Sequence, residues 1–561
     1  MATSSHLIVA AFDFGTTYSG YAFSFKEDPS KVQTNSNWYA GNLVSLKTST
    51  TVLLTPDGAF HSFGFDAEDQ YSNLSIDKNH QGWRLFRRFK MVLHGGKNIS
   101  RSSTVEDIQG FPHPAMEIFT MAIRFLREHL LKALMLQKTG ISESDITYIL
   151  TVPAIWDDMG KQFMREAAVE AGIDDGRLKL ALEPEAAAIW CERLESSLHG
   201  DTFMVLDLGG GTADISVHER RPGGTMKIIR QASGGPWGGI YVDDNFVSFL
   251  SEIFGEQTMS AMKTEEMFDY FDIVREFETK KRTFHGETDA MVTFQVPVSA
   301  RALSEKLTTQ NLGDRLEAYR KKHGHKIILR GDDKLSVQSI AMRSWFDGSL
   351  SKLIEHMKSV LKEPNMKGIS SVLLVGGFGE SEYVRQKIRS GIPGMQLVVP
   401  SEAGLAVLKG AVMFGHNPSI VTSRVMPFTY GVAVQQVYDA KKHRGVRNPY
   451  NDPNWLVPDC FEVYVRVNEE VAYDQKVTHL STPSALTSAI PVYRTLQTKP
   501  LYITDPGCEH LGTLYITNSC DVPFEEQEQE VTFQFGDTEL LVTCKPRGSE
   551  KEEKLTLDCL V

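Results

Sequence analysis

"TFMVLDLGGGTADISVHER", residues 202–220, joins an apolar strand to an acid, three glycines, a threonine and a second strand. Alternation resumes after Thr212 and carries Asp214. Glycines free the backbone to expose its N–H groups. Together with a hydroxyl and a nearby carboxylate they suit an anion that arrives with a metal. The same order opens the chain in "FDFGTTYSGYAF" (12–23), with Asp13, Gly15, Thr16 and Thr17. The two acids lie 194 positions apart, which marks an internal duplication on the scale of a domain. Two lobes, each offering one such hairpin, can close on a nucleotide from opposite sides.

Strands and helices around these turns extend the pattern. Residues 7–14 and 18–25 read as a hairpin. "DITYILTVPAIW" (145–156) is an apolar strand ended by Pro153, and Met159, Phe163, Ala167 and Ala171 then recur at helical spacing until Gly172. "KLALEPEAAAIW" (179–190) is strand, then Glu183 and Pro184, then helix. Residues from about 243 to 285 are amphipathic and helical. In "ISSVLLVGGFGESEYVRQKI" (369–388) a strand feeds Gly376 and Gly377 before another helix, a geometry for close approach to a ligand. "SEAGLAVLKGAVMFG" (401–415) is a helix of small residues.

Beyond Gly415 the composition shifts. Residues 416–460 read as linker and loop, and 461–561 as short alternating strands of an antiparallel sheet or sandwich. The chain has 561 residues and a net charge of −12, so it exceeds one core and lacks the basic stripe of a nucleic-acid binder. Its six cysteines form no C-x-x-C pair, which argues against zinc and for reduced thiols; those at 508–559 are expected in strand cores. No basic n-region precedes the first apolar run, and no stretch is long enough for a membrane span, so a cytoplasmic location, with nuclear entry possible, is expected. "HGGKNIS" has Met91 where a Walker A loop needs glycine, and no H-R-D loop accompanies "DFG".

Five segments in fixed order resemble the 70-kDa heat-shock protein family of the actin-like ATPase superfamily. "FDFGTTYSG" and "LDLGGGTADIS" are similar to its phosphate loops, "ILTVPAIW" and "LEPEAAAIW" to its connecting segments, and "VLLVGGFGES" to its adenosine loop. "FDFGTTYSGYAFSF" and "FKMVLHG" most resemble its divergent twelfth-member branch.

The resemblance implies an α/β, two-lobed actin-like ATPase fold of duplicated ribonuclease-H-like domains over 1–415, then a β-sandwich-like domain. "MPFTYGVAV" (426–434) sits where the family's β-domain begins. It further implies ATP or ADP with Mg²⁺, with Asp13 and Asp207 on the metal side. Gly15, Thr16, Thr17, Tyr18, Gly209, Gly210, Gly211 and Thr212 become phosphate contacts. Glu183 and Asp214 become the water-side carboxylates, and Lys90 the catalytic lysine, with Arg88 its competitor. Glu278, Lys281 and Arg282 would grip ribose and purine, beside Gly376, Gly377 and Phe378.

The chain departs from the family at Glu380, where a basic residue is usual, and at Phe378, where serine is usual. "NPSIVTSRV" replaces the acidic leucine-rich linker, and no helical segment follows the strands, so no helical lid is expected. These departures argue against J-domain and nucleotide-exchange partners and leave client polypeptides or signalling proteins. The resulting expectation is a slowly hydrolysing, chaperone-like ATPase. The alternatives are a nucleotide-regulated scaffold and, behind it, a small-molecule kinase on the same fold.

Overall fold

The computed structural model describes residues 6–560 except 36, 41–42, 96–98, 138–139, 195–199, 288–289, 332, 444–445, 447–451, 453, 484, 548–551 and 556. Two compact units emerge. The first comprises Met1–Trp156, Phe163–Ser216 and Ala232–Pro418; the second comprises Asp157–Gln162, Val217–Gln231 and Ser419–Val561.

The opening strand of the first unit, Ile8–Phe14, is buried along its whole length, as a continuous apolar run requires when both faces are covered. It lies in a sheet ordered Leu178–Leu182, Ile146–Val152, Ile8–Phe14, Tyr18–Phe25, Gln33–Thr34, with Thr48–Ser49 also on Tyr18–Phe25. The first three strands are parallel and the hairpin partner is antiparallel. A second sheet repeats this order: Gln396–Val398, Ser371–Val375 and Thr202–Leu208, all parallel, followed by Ala213–Arg221 and Thr225–Gly235. Asp13 and Asp207 are each the penultimate residue of the corresponding strand. Glu183 directly follows Leu178–Leu182, and Gly376 directly follows Ser371–Val375. Functional positions therefore gather at the carboxyl ends of parallel strands, where such sheets leave a crevice.

Helices seat these ends. The small-residue helix is Ala406–His416, and it packs on the helix Glu183–Leu194. A Cβ at Gly410 would overlap the carbonyl of Ala186, so backbones meet there with no room for a side chain. A Cβ at Gly415 would lie 2.7 Å from Ile149 Cγ1. The helix Met267–Thr283 is anchored by Phe277, whose ring stacks on Phe246 at 3.9 Å beside Phe294 and Trp345. Strands Met291–Gln295, Ile327–Arg330 and Lys334–Gln338 add a small sheet that no sequence pattern announced.

The second unit holds two antiparallel four-stranded sheets. One runs Leu456–Val465, Thr429–Val437, Thr487–Thr495, Cys508–Thr517; the other runs Lys476–Ser481, Gln529–Gln534, Leu541–Pro546, Glu553–Leu555. Val432, Val492 and Leu514 of the first share one buried cluster with Val531, Phe533 and Val542 of the second.

Two sequence expectations need correction here. Residues 416–460 are not linker throughout: Val421–Val425 and Thr429–Val437 are strands, and Leu456–Val465 begins inside that range. The strand Thr429–Val437 agrees instead with the resemblance that starts the β-domain at "MPFTYGVAV". Much of the stretch 446–459 lies outside the described residues. Cys544 and Cys559 are buried in the cluster, but Cys508 is only partly covered and Cys520 is exposed. Among the described residues no helix is long and apolar enough to cross a membrane.

Candidate functional site

The first unit contains a cleft of about 1130 Å³. Asp13, Gly15 to Tyr18, Lys90, Glu183, Asp207, Gly209 to Thr212, Asp214, Glu278, Lys281, Arg282 and Gly376 to Phe378 all line it. Every residue singled out from the sequence is thus brought to one cavity.

The two glycine turns are built alike. Gly15 N–H donates to Tyr18 O at 3.1 Å, and Gly209 N–H donates to Thr212 O at 3.0 Å, the equivalent atoms of the two hairpins. They also face each other. A Cβ at Gly210 would collide with the Thr17 side chain, and one at Gly211 would lie 2.8 Å from Thr16 Oγ1 and 2.6 Å from Met91 Sδ. Glycine is needed here for close approach, not for φ. The second turn is pinned further by the helix Gly239–Phe254, whose first residues donate to its carbonyls: Gly239 N to Gly209 O at 3.1 Å and Ile240 N to Gly210 O at 2.8 Å.

Lys90 and Glu183 meet at the floor. Arg88 adopts a left-handed φ of 56°, and this turns the next residues into the cleft. Lys90 Nζ then lies 2.9 Å from Glu183 Oε1 and 4.9 Å from the Trp156 ring centroid, with only 3% of its side chain exposed. Arg88 lines the same cleft but pairs with Asp244 at 2.7 Å and Asp243 at 3.3 Å, not with Glu183.

Four carboxylates share this region and disturb one another. Burial, opposed by Lys90 and reinforced by Asp13, raises Glu183 above its ordinary range. Burial, then Glu183, Asp214 and Asp13, lifts Asp207 well above its own. Asp214 accepts from Ile155 N and from Thr212 Oγ1, each at 3.1 Å, yet burial followed by Glu183 pushes it up to about 7. A folded-state value above the unfolded one means that the native form holds an extra proton in between, so stability falls as pH rises through that window. Asp214→Asn, which carries no charge, is therefore expected to stabilise the nucleotide-free protein by about 2–4 kcal/mol at pH 8. Urea denaturation should show the gain vanishing near pH 4; an equal gain at both pH values would exclude the charge as its cause.

At the far end, Glu278 pairs with Lys281 at 2.6 Å and with Arg282 at 2.7 Å, and Lys281 also reaches Asp243 at 2.6 Å. The Arg282 guanidinium lies 5.4 Å over the Tyr18 ring. Tyr18 thus serves the loop through its carbonyl while its ring supports the arginine. Gly376 has a φ of 86°, and a Cβ there would meet Leu208 O and Asp207 Oδ1. Phe378 stacks on Phe346 at 6.1 Å and is nearly covered, forming a wall. Glu380 Oε1 accepts from Gly404 N at 3.1 Å.

Comparison with known proteins matches this arrangement to one family. A profile described as "Hsp70 protein" matches residues 115–323. Human heat shock 70 kDa protein 12B is 32% identical over 99% of this chain and 92% of its own length. Human heat shock 70 kDa protein 12A is 31% identical with the same coverage. The chain belongs to the 70-kDa heat-shock protein family. Chaperone protein DnaK of Thermoplasma acidophilum is more distant, at 23% identity over 73% of this chain and 59% of its own. Heat-shock family membership supports nucleotide binding by this chain, and the 12A and 12B proteins match it along almost its whole length.

Sequence reasoning missed several residues of this heat-shock family cleft. Lys47 Nζ lies 2.5 Å from Asp13 Oδ2, Thr151 Oγ1 donates to Asp13 Oδ1 at 3.3 Å, and Thr50 Oγ1 donates to Gly15 O at 2.7 Å. Asp243 was missed as well. None belongs to a glycine turn; each reaches the site only through long-range pairing of strands or helices. For Lys47 and Thr50 the local signal was the run of hydroxyls in "LKTSTTVLL", and Thr151 lies inside the segment "ILTVPAIW".

Proposed function

We propose that the cleft binds ATP with Mg²⁺ and hydrolyses it slowly, as part of a chaperone-like protein of the 70-kDa heat-shock type. The observation that supports this most is the pair of equivalent turns, Gly15–Tyr18 and Gly209–Thr212, facing each other above the Lys90–Glu183 pair. Backbone N–H groups and the Thr16, Thr17 and Thr212 hydroxyls would hold the β- and γ-phosphates from two sides. Lys90 would offset charge on the transferring group. Asp214, with its proton affinity near neutrality, would accept the proton of the attacking water, and Glu183 would orient that water.

On the Asp207 side the residues present fit a hydrated magnesium ion. Among the described residues no three His, Cys, Asp or Glu side chains converge to hold a metal by themselves. Asp207, raised by burial and then by three neighbouring acids, is a carboxylate that a cation would stabilise through water. When bound with the nucleotide, the ion supplies charge neutralisation at the phosphates. The repeated strand order favours duplicated ribonuclease-H-like lobes, and the shared core of the second unit favours a sandwich-like β-domain that grips polypeptide clients or signalling proteins.

A second reading, a nucleotide-regulated scaffold with little turnover, is favoured by the ion pair that already engages Glu183. Calorimetric titration with Mg-ATP and Mg-ADP is expected to show one saturable site. No heat with either nucleotide would remove both readings. Release of a bound peptide on adding ATP separates the chaperone from the scaffold.

A further inference from the structure

The phosphate end of the cleft contains a cation of the protein's own. Lys47 Nζ and Asp13 Oδ2 are 2.5 Å apart, with side-chain exposures of 18% and 8%. The other oxygen of Asp13 accepts from Thr151 Oγ1, so both carboxylate oxygens are engaged. The lysine is not carried by a free loop. Thr48 and Ser49, which follow it, pair with Ser19 and Tyr18 of the first hairpin. Thr50 N donates to Thr17 O at 2.9 Å, and Asn35 Nδ2 donates to Leu46 O at 2.9 Å. The Lys47 stem also runs along Gly20, where a Cβ would sit 3.0 Å from its Cγ. The backbone on both sides of Lys47 is therefore tied to the turn that would receive the phosphates.

We propose that Lys47 is a resident counter-cation of the nucleotide site: its ammonium holds the place on Asp13 that the water shell of a divalent ion would take, and it faces the β- and γ-phosphates directly. This rests on the nucleotide-binding reading above. Mg²⁺ dehydrates reluctantly and is held by few protein carboxylates, so the loss of one of them to a lysine is a large part of its site. A lysine ammonium is itself a compact phosphate-binding charge. Nucleotide binding should therefore depend only weakly on divalent metal, with Asp207 left as the metal-side acid.

The test is calorimetric titration of the full chain with ADP and ATP, in Mg²⁺ and in EDTA. For the wild type, the ratio of Kd in EDTA to Kd in Mg²⁺ should stay below about tenfold; for Lys47→Ala it should rise at least about tenfold further. Lys47→Arg keeps the charge and should keep the wild-type ratio. An unchanged ratio in Lys47→Ala overturns the inference alone. Should that variant fail to fold, a wild-type ratio above about a hundredfold overturns it. Failure of the wild type to bind nucleotide in either buffer overturns the nucleotide reading and this inference with it.

Discussion

Replacing Glu183 by glutamine is expected to slow single-turnover ATP hydrolysis by about 10²-fold or more, the cost of misplacing the attacking water that it orients. Glutamine keeps an oxygen to accept from Lys90 but leaves the buried ammonium without its counter-charge, so the rate is read below the variant's own unfolding transition, with Mg-ATP affinity measured alongside. The carboxylate occupies the first residue of a helix, where the dipole favours negative charge by about 0.3–1 kcal/mol. Burial opposes it with a penalty of several kcal/mol and wins, which is why Glu183 is raised even with a lysine beside it. Such a group holds and turns a water well. Rapid-quench measurement of the first turnover decides the matter: an unaltered rate would take Glu183 out of the chemistry and leave Asp214 to act alone.

Lys90→Met should instead act on stability, by about 3–5 kcal/mol at pH 8, because it strands a buried carboxylate. The sign with pH follows from Glu183. Its folded-state value is already above the ordinary range and rises further without the ammonium. Between the unfolded and folded values the native variant takes up a proton, so its stability increases as pH falls through that window. Urea denaturation of both proteins should show a deficit that is largest at pH 8 and shrinks toward pH 5. A deficit independent of pH would mean that lost packing against Trp156, and not the charge, is responsible.

What could be read from the sequence was what is local. An acid, at least one glycine and a threonine lie within six positions in each hairpin, and the two hairpins sit in sheets whose strands follow the same order. Glu183 was legible because a strand ends one residue before it. Lys47 was not, since one lysine among 59 basic residues becomes special only when Thr48–Ser49 pairs with the first hairpin. Asp243 reads as an ordinary helical surface residue until Lys281 and Arg88 arrive from distant segments. Lys90 was preferred to Arg88 from the resemblance alone; that Lys90 pairs with Glu183 while Arg88 pairs with Asp243 and Asp244 is visible only in the structure. The strands at 421–437 were obscured by a composition shift, because turn-forming residues nearby outweighed a short alternating run.

The contact between Gly410 and Ala186 ties a helix from the end of the first unit to the helix that carries Glu183. The helix that carries Glu183 rests on Ala406–His416, and that same late helix supports Val9 and Ile149 beneath the opening strand. A nascent chain emerging from the ribosome has made both glycine turns long before this wedge is translated. The support beneath Glu183 is therefore the last helix of the first unit to be synthesised.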